Sequence, residues 1–132
     1  MPRLLLFLGA VNGFLAVAFG AFAAHGLKSR VTPDLLVVFE TGARYHMYHA
    51  LALLAAGWIA QQAPTTLATT AGWCFVVGII LFSGSLYVLA LTGIKQLGAI
   101  TPFGGTAMLI GWALLAAAAW RLRTPGGGDM PF

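Results

Sequence analysis

The sequence predicts an all-α integral membrane protein, built as an antiparallel bundle of four transmembrane helices. Sixty per cent of its 132 residues are hydrophobic and only 8% are charged, whereas soluble domains carry about 25% charged residues. The apolar residues fall into four runs, each near the ~20 residues with which a helix crosses a bilayer core of about 30 Å. The connections between runs are short, which favours antiparallel sequential neighbours.

The predicted spans cover about residues 4–25, 35–60, 71–92 and 102–120, within a transmembrane domain at 1–123. The first run follows Arg3 and contains Ala21-Phe22-Ala23, which resembles a signal-peptide cleavage site. Its apolar core is longer than the 7–15 residues usual for a signal peptide, so we expect a retained helix. The second run is polar in its first half, and the fourth opens on Thr101-Pro102. Residues 124–132, rich in Gly and Pro, are predicted to form a flexible tail.

The net charge of +4 comes from basic residues spaced along the chain rather than clustered, which argues against nucleic-acid binding. Such spacing is typical of flanks at the two membrane surfaces. Four spans place Arg3, Arg121 and Arg123 on one side, and Lys28, Arg30 and Lys95 on the other. This tie of three against three leaves the orientation open.

Small residues indicate where helices pack, because they let backbones approach in a bilayer. Gly9 and Gly13 form a GxxxG pair on the first helix. These faces are expected to pack within the bundle or against a second protomer, and the sequence leaves both open. The predicted packing positions are Gly9, Gly13, Gly20, Ser83, Gly84, Gly104, Gly105 and Gly111.

The start of the second helix carries the most informative polar residues. Glu40 and Arg44 are four apart, so on a helix they share a face and can pair. Tyr45 and His49 have the same spacing on a neighbouring face, and the short connection brings His25 to the same membrane side. The predicted candidate cluster therefore comprises His25, Glu40, Arg44, Tyr45 and His49. Asn12, a lone amide in the first helix, is expected to form an interhelical hydrogen bond.

Several roles are compatible with this cluster. It can fix helix register as a paired polar group, bind a lipid or quinone headgroup, or ligate a metal or haem through its histidines. It can also relay protons in a small transporter or channel, with Glu40 as the acidic group. No nucleophile elbow, phosphate loop, dinucleotide fingerprint or zinc motif occurs in the sequence, and we assign no catalytic residue, metal ligand or cofactor.

Five stretches resemble a family of small four-helix membrane proteins catalogued as a domain of unknown function. They are residues 20–27 (GAFAAHGL), 45–51 (YHMYHAL), 82–87 (FSGSLY), 91–93 (LTG) and 100–105 (ITPFGG), with Gly111-Trp112 beyond them. The resemblance implies a four-helix fold in a bacterial inner membrane and supplies no mechanism. Two positions depart from the family pattern, which usually has Gly at Ala23 and Gln at His46. His25 and His49 match it.

The leading hypothesis is a non-enzymatic accessory or interaction component, multi-pass in the cytoplasmic (inner) membrane. Its expected partners are the lipid bilayer and either a second copy of the chain or another membrane protein. The alternatives are a small transporter or channel, and a protein that binds a lipid or quinone headgroup, haem or metal through the polar cluster.

Overall fold

The computed structural model describes residues 1–63 and 66–122, and within them it is all-α, as predicted. The first of four helical rods is α1, Pro2–Phe22, extended by a π turn at Ala23–Leu27. The second is α2, Pro33–Gln62. The third joins α3, Thr66–Gly78, through a π turn at Ile79–Ser83 to α4, Gly84–Thr92. A 3-10 turn at Lys95–Ala99 leads into α5, Thr101–Trp120. The tail predicted at 124–132 lies outside the described residues.

Proline and glycine set several of these boundaries. Pro33 stands in the first turn of α2, where its missing N–H and fixed φ are compatible with a helix start. The Thr32 hydroxyl accepts a hydrogen bond from the Leu35 N–H at 3.3 Å, which caps the same helix. Glycine ends a helix in the third rod. Gly93 follows α4, and its φ of 73° is the left-handed conformation that glycine adopts without strain.

Neighbouring rods run antiparallel. Along α1 and α2, Gly9 lies beside Leu54, whereas Phe19 lies beside Phe39, so residue numbers rise on one helix as they fall on the other. Between α2 and the third rod, Tyr45 lies beside Phe82 and His49 lies beside Phe75. Between the third rod and α5, Phe82 meets Gly104 and Phe75 meets Gly111. α1 packs mainly against α2, and α5 mainly against α3. α2 and α5 make few direct contacts, so a groove is left between them.

Three of the rods, Pro2–Leu27, Thr66–Thr92 and Lys95–Trp120, are long and apolar enough to cross a membrane. α2 is the longest single helix, with 30 residues, but it is not among the three. Its first half carries charged, histidine and tyrosine residues, which lower its mean hydropathy.

Glycine permits the closest helix contacts. A Cβ at Gly9 would lie 2.8 Å from the Leu54 side chain, and a Cβ at Gly104 would overlap the backbone of Phe82. These helices therefore pack through backbone surfaces that a larger residue would separate. Close approaches of the same kind occur at Gly42, Gly57, Gly72, Gly78 and Gly111.

The other predicted packing glycines lie in looser surroundings. A Cβ at Gly13 or Gly84 would lie 4.0 Å from its nearest neighbour, and one at Gly105 would lie 3.7 Å from the Phe82 ring. Nothing lies within 4 Å of such a Cβ at Gly20. Of the GxxxG pair on α1, Gly9 thus makes the close contact, and both glycines face α2 of the same chain.

Candidate functional site

The structure divides the predicted polar cluster into exposed and buried members. The side chains of His25, Glu40 and Arg44 are exposed, and Tyr45 is 38% exposed, whereas His49 is buried. Across the described part of the chain, no hydrogen bond, ion pair or ring contact joins the first three to each other or to His49. The Glu40–Arg44 pair that the spacing allows is therefore not formed in this structure.

His49 has both ring nitrogens engaged. Its Nδ1 lies 2.6 Å from the Tyr45 backbone carbonyl, and its Nε2 lies 3.0 Å from Nε1 of Trp112. A carbonyl only accepts and an indole N–H only donates, so Nδ1 carries the proton and Nε2 accepts. His49 is thereby fixed as one neutral tautomer that connects α2 to α5.

A second buried network, centred on His46, connects three rods. Asn12 donates through Nδ2 to the Leu8 carbonyl at 2.8 Å, which turns its Oδ1 towards His46 Nε2, also at 2.8 Å. Because Oδ1 only accepts, Nε2 carries the proton. The neutral ring then accepts at Nδ1 from the Tyr87 hydroxyl, 2.9 Å away. The interhelical hydrogen bond predicted for Asn12 is confirmed.

Two serines beside the second π turn complete the polar contacts between rods. The fully buried Ser83 donates to the Gly42 carbonyl at 2.7 Å. Ser85 lies 2.9 Å from the Phe82 carbonyl and 2.7 Å from the Thr101 hydroxyl. Since Ser85 has one proton to give to the carbonyl, Thr101 donates to it. Among the described residues, no buried side-chain nitrogen or oxygen lacks a partner.

The groove between α2 and α5 is a cavity of about 780 Å³, open to the outer surface of the protein. Ligand sites typically have volumes of about 300–1,000 Å³. Most of its lining is aliphatic or aromatic, and Phe82 of the π turn forms part of its wall. The residues that line it are Tyr45, Tyr48, His49, Leu51, Ala52, Ala55, Phe82, Pro102, Gly105, Thr106, Met108, Leu109 and Trp112.

Few polar atoms in this groove are free. The Thr106 hydroxyl donates to the Pro102 carbonyl at 2.9 Å, and the His49 nitrogens are engaged as described. The hydroxyls of Tyr45 and Tyr48 have no hydrogen-bond partner within residues 1–63 and 66–122. The groove therefore presents an apolar surface with two phenol groups at one end.

The structure brings no metal-ligand set together. Residues 1–63 and 66–122 contain no group of three or more His, Cys, Asp or Glu side chains that could hold a metal ion. His25 lies on the surface at the end of the first rod, and His49 has no ring nitrogen free for coordination. A joint site for these two histidines is not formed here.

Sequence reasoning missed three parts of this arrangement. It predicted a hydrogen bond for Asn12 but did not identify His46 as its partner. It named Trp112 only as part of the family resemblance, whereas the indole donates to His49. The place of Phe82 in the groove wall could not be predicted, because periodicity reveals neither a π turn nor a groove between non-adjacent rods.

Three apolar rods of membrane-spanning length and a buried polar interior define a multi-pass membrane protein. Residues 19–105 match the model of the family described as protein of unknown function (DUF423), and the chain belongs to that family. This confirms the resemblance. No solved structure matches the chain.

Relatives that match over nearly their whole length are named as membrane proteins. The chain is similar to the UPF0382 membrane protein YwdK of Bacillus subtilis (strain 168), with 48% identity over 89% of this chain and 96% of that protein. It is 47% identical to the UPF0382 membrane protein SAB0533 of Staphylococcus aureus (strain bovine RF122 / ET3-1), over 90% and 97%. It is 42% identical to SSP2132, a UPF0382 membrane protein of Staphylococcus saprophyticus, over 91% and 99%.

Proposed function

We propose that this protein is a non-enzymatic, four-span protein of the cytoplasmic membrane that holds an acyl chain of a lipid in the groove between α2 and α5. The observation that carries the proposal is the groove itself, a cavity of about 780 Å³ with a largely apolar lining. A groove that opens towards the bilayer is filled by whatever apolar chain fits it, so its natural occupant is a lipid.

The dimensions of α2 support its role as the fourth span. Its 30 residues correspond to a length of about 45 Å, at 1.5 Å per residue. Gln61 and Gln62 close the helix, and Arg44 lies about 27 Å before Gln62 along the axis. This separation is close to the thickness of a bilayer core, about 30 Å. The turns from Pro33 to Phe39 then project beyond the core.

Polar residues that are buried inside the protein contribute to the low mean hydropathy of this helix. His46 and His49 are 3% and 4% exposed, and their hydrogen bonds lie inside the protein. Mean hydropathy does not distinguish these buried histidines from polar groups that face lipid. A hydrogen-bonded polar group inside a bundle is compatible with a membrane span. The exposed Tyr45 and Tyr48 lie near the Arg44 end, where aromatic side chains favour the interface.

The polar groups of the groove support binding rather than proton transfer. The nitrogens of His49 and the hydroxyl of Thr106 are engaged within the protein. Glu40, the acid considered for transport, is exposed on α2 rather than directed into the network around His46. Neither arrangement favours catalysis or a proton path.

The interaction role predicted from the glycines is less well supported. Gly9 packs against α2, and Gly104 and Gly111 pack against the third rod. Their close contacts are thus made within one chain, and these faces are not offered to a second protomer. A homo-oligomer or a protein partner stays a prediction that rests on no contact in this structure.

A photoactivatable phosphatidylcholine with a diazirine in one acyl chain tests the proposal. After irradiation in vesicles and digestion, labels should concentrate on Leu51, Leu109 and Trp112, which line the groove. Ala55→Trp should fill the groove and remove that labelling, whereas Ala10→Trp, at an exposed position on α1, should not. Labels spread equally over Phe7, Phe14 and the groove residues would contradict the proposal.

A further inference from the structure

We infer that the groove prefers a phospholipid with an anionic headgroup, and that Arg44 is the residue that recognises it. This inference rests on the proposed function, since it assigns a headgroup to the lipid whose chain occupies the groove.

Arg44 lies on the groove side of α2. At about 100° per residue it falls between Leu51 and Ala55 around the helix axis, and both of these residues line the groove. It stands one turn beyond Tyr48 towards the Pro33 end and directly precedes Tyr45, the first residue of α2 that lines the groove. Glu40 lies about 40° further round the helix, on the side away from His49 and α5.

Contacts to neighbouring rods place Arg44 level with the start of α5. The adjoining Tyr45 ring packs on Phe82, with centroids 4.9 Å apart. Phe82 in turn meets Gly104, in the first turn of α5. The span formed by α5 ends at this level, so Arg44 lies at the membrane-surface end of the groove. A long arginine side chain there can extend its guanidinium to the headgroups.

The charge of Arg44 has no partner among residues 1–63 and 66–122. Its side chain is exposed, and among the described residues it forms no ion pair or hydrogen bond. An ionisable group near membrane depth generally requires a partner of opposite charge. A lipid phosphate supplies one, because guanidinium matches the oxygens of a phosphate in bidentate geometry. The unpartnered Tyr45 and Tyr48 hydroxyls add hydrogen-bond donors beside it.

An anionic headgroup is distinguished from a zwitterionic one by net charge, since both contain a phosphate. In phosphatidylcholine the choline cation offsets the phosphate and is repelled by Arg44. Phosphatidylglycerol has no such cation, so the attraction to Arg44 is retained. One basic residue near the surface contributes about 1 kcal/mol towards an anionic lipid, or about a fivefold ratio in occupancy.

Competition between two photoactivatable lipids with identical diazirine acyl chains tests the inference. Vesicles contain phosphatidylglycerol and phosphatidylcholine in equal amounts, and mass spectrometry identifies the lipid attached to each groove peptide. We expect about fivefold more phosphatidylglycerol on the wild-type groove. Arg44→Gln should bring the ratio close to one, and Arg44→Lys should retain most of the preference.

Arg30→Gln is the matched control, because it removes the same charge from the loop before α2 and outside the groove lining. It should leave the ratio unchanged. An equal ratio in the wild type, or a preference that survives Arg44→Gln, would overturn the inference while groove labelling by both lipids upholds the proposed function. No enrichment of either lipid in the groove overturns both. Since Arg44 makes no contact that holds the fold, an unfolding curve like that of wild type should accompany Arg44→Gln.

Discussion

The indole N–H of Trp112 donates to Nε2 of His49 over 3.0 Å, and both residues line the groove between α2 and α5. The two rings meet edge to face, with centroids 5.9 Å apart, and Phe75 packs against both. The contact therefore sets the spacing of the two helices that form the groove.

Loss of this bond should destabilise the protein. Trp112→Phe keeps an aromatic ring but leaves His49 Nε2 without a donor, which we expect to lower the free energy of unfolding by about 0.6–2 kcal/mol. Unfolding in mixed micelles, followed by circular dichroism, measures the change. Trp120→Phe is the control, because Trp120 is 91% exposed and should change stability little. Equal stability of the two variants would show that the bond contributes nothing.

The stability of variants at His46 should depend on whether the new side chain can form the hydrogen bonds of this network. Glutamine, the residue that the resemblance leads us to expect at this position, can donate to Asn12 and accept from Tyr87, so His46→Gln should retain most of the stability. His46→Leu leaves the Asn12 carbonyl and the Tyr87 hydroxyl unpaired in the interior, and should lose about 2 kcal/mol or more. The same micelle unfolding assay compares them. A leucine variant as stable as the glutamine variant would contradict this reading of the network.

Adjacent glycines on α5 provide a matched test of backbone packing. A Cβ at Gly104 meets the backbone of Phe82, which cannot move aside as a flexible side chain would. Gly104→Ala should therefore separate α5 from the π turn and lower stability by about 1–3 kcal/mol or more. At Gly105 the new Cβ would make an ordinary contact of 3.7 Å with the Phe82 ring, so Gly105→Ala should be tolerated. Thermal unfolding in detergent compares the two variants, and a smaller loss for Gly104→Ala would refute the packing argument.

The sequence allowed the helices to be predicted, and two residues of the predicted cluster, Tyr45 and His49, line the groove. It did not allow the contacts between rods to be predicted. Apolar runs bounded by Pro33, Gly93 and Pro102 indicate helices because length and breaker residues act locally. The partners of His46 could not be predicted from spacing, since Asn12 and Tyr87 come from other rods and helix rotation decides which side chains meet. Spacing alone allowed Glu40 to pair with Arg44, but neither side chain is buried. In an exposed pair the Coulomb gain is small relative to the entropy of holding two long side chains together.

Cysteine labelling should establish whether α2 crosses the membrane and which way the chain faces. Cys74 is the single cysteine, so Cys74→Ala gives a background for single replacements at the exposed Arg3, Asp34, Gln61 and Lys95. If α2 is a span, a membrane-impermeant maleimide should label Asp34→Cys and Lys95→Cys from one side of sealed vesicles. It should label Arg3→Cys and Gln61→Cys from the other side.

Inside-out vesicles should reverse the pattern, and detergent-solubilised protein should label at all four positions, which controls for local reactivity. Labelling of Asp34→Cys and Gln61→Cys from the same side would contradict a spanning α2, and with it the depth that we assign to Arg44. The side on which Asp34→Cys is labelled also gives the orientation of the chain, which the equal numbers of basic residues on the two sides leave open. It identifies the leaflet whose headgroups reach Arg44, because Asp34 and Arg44 lie in the same half of α2.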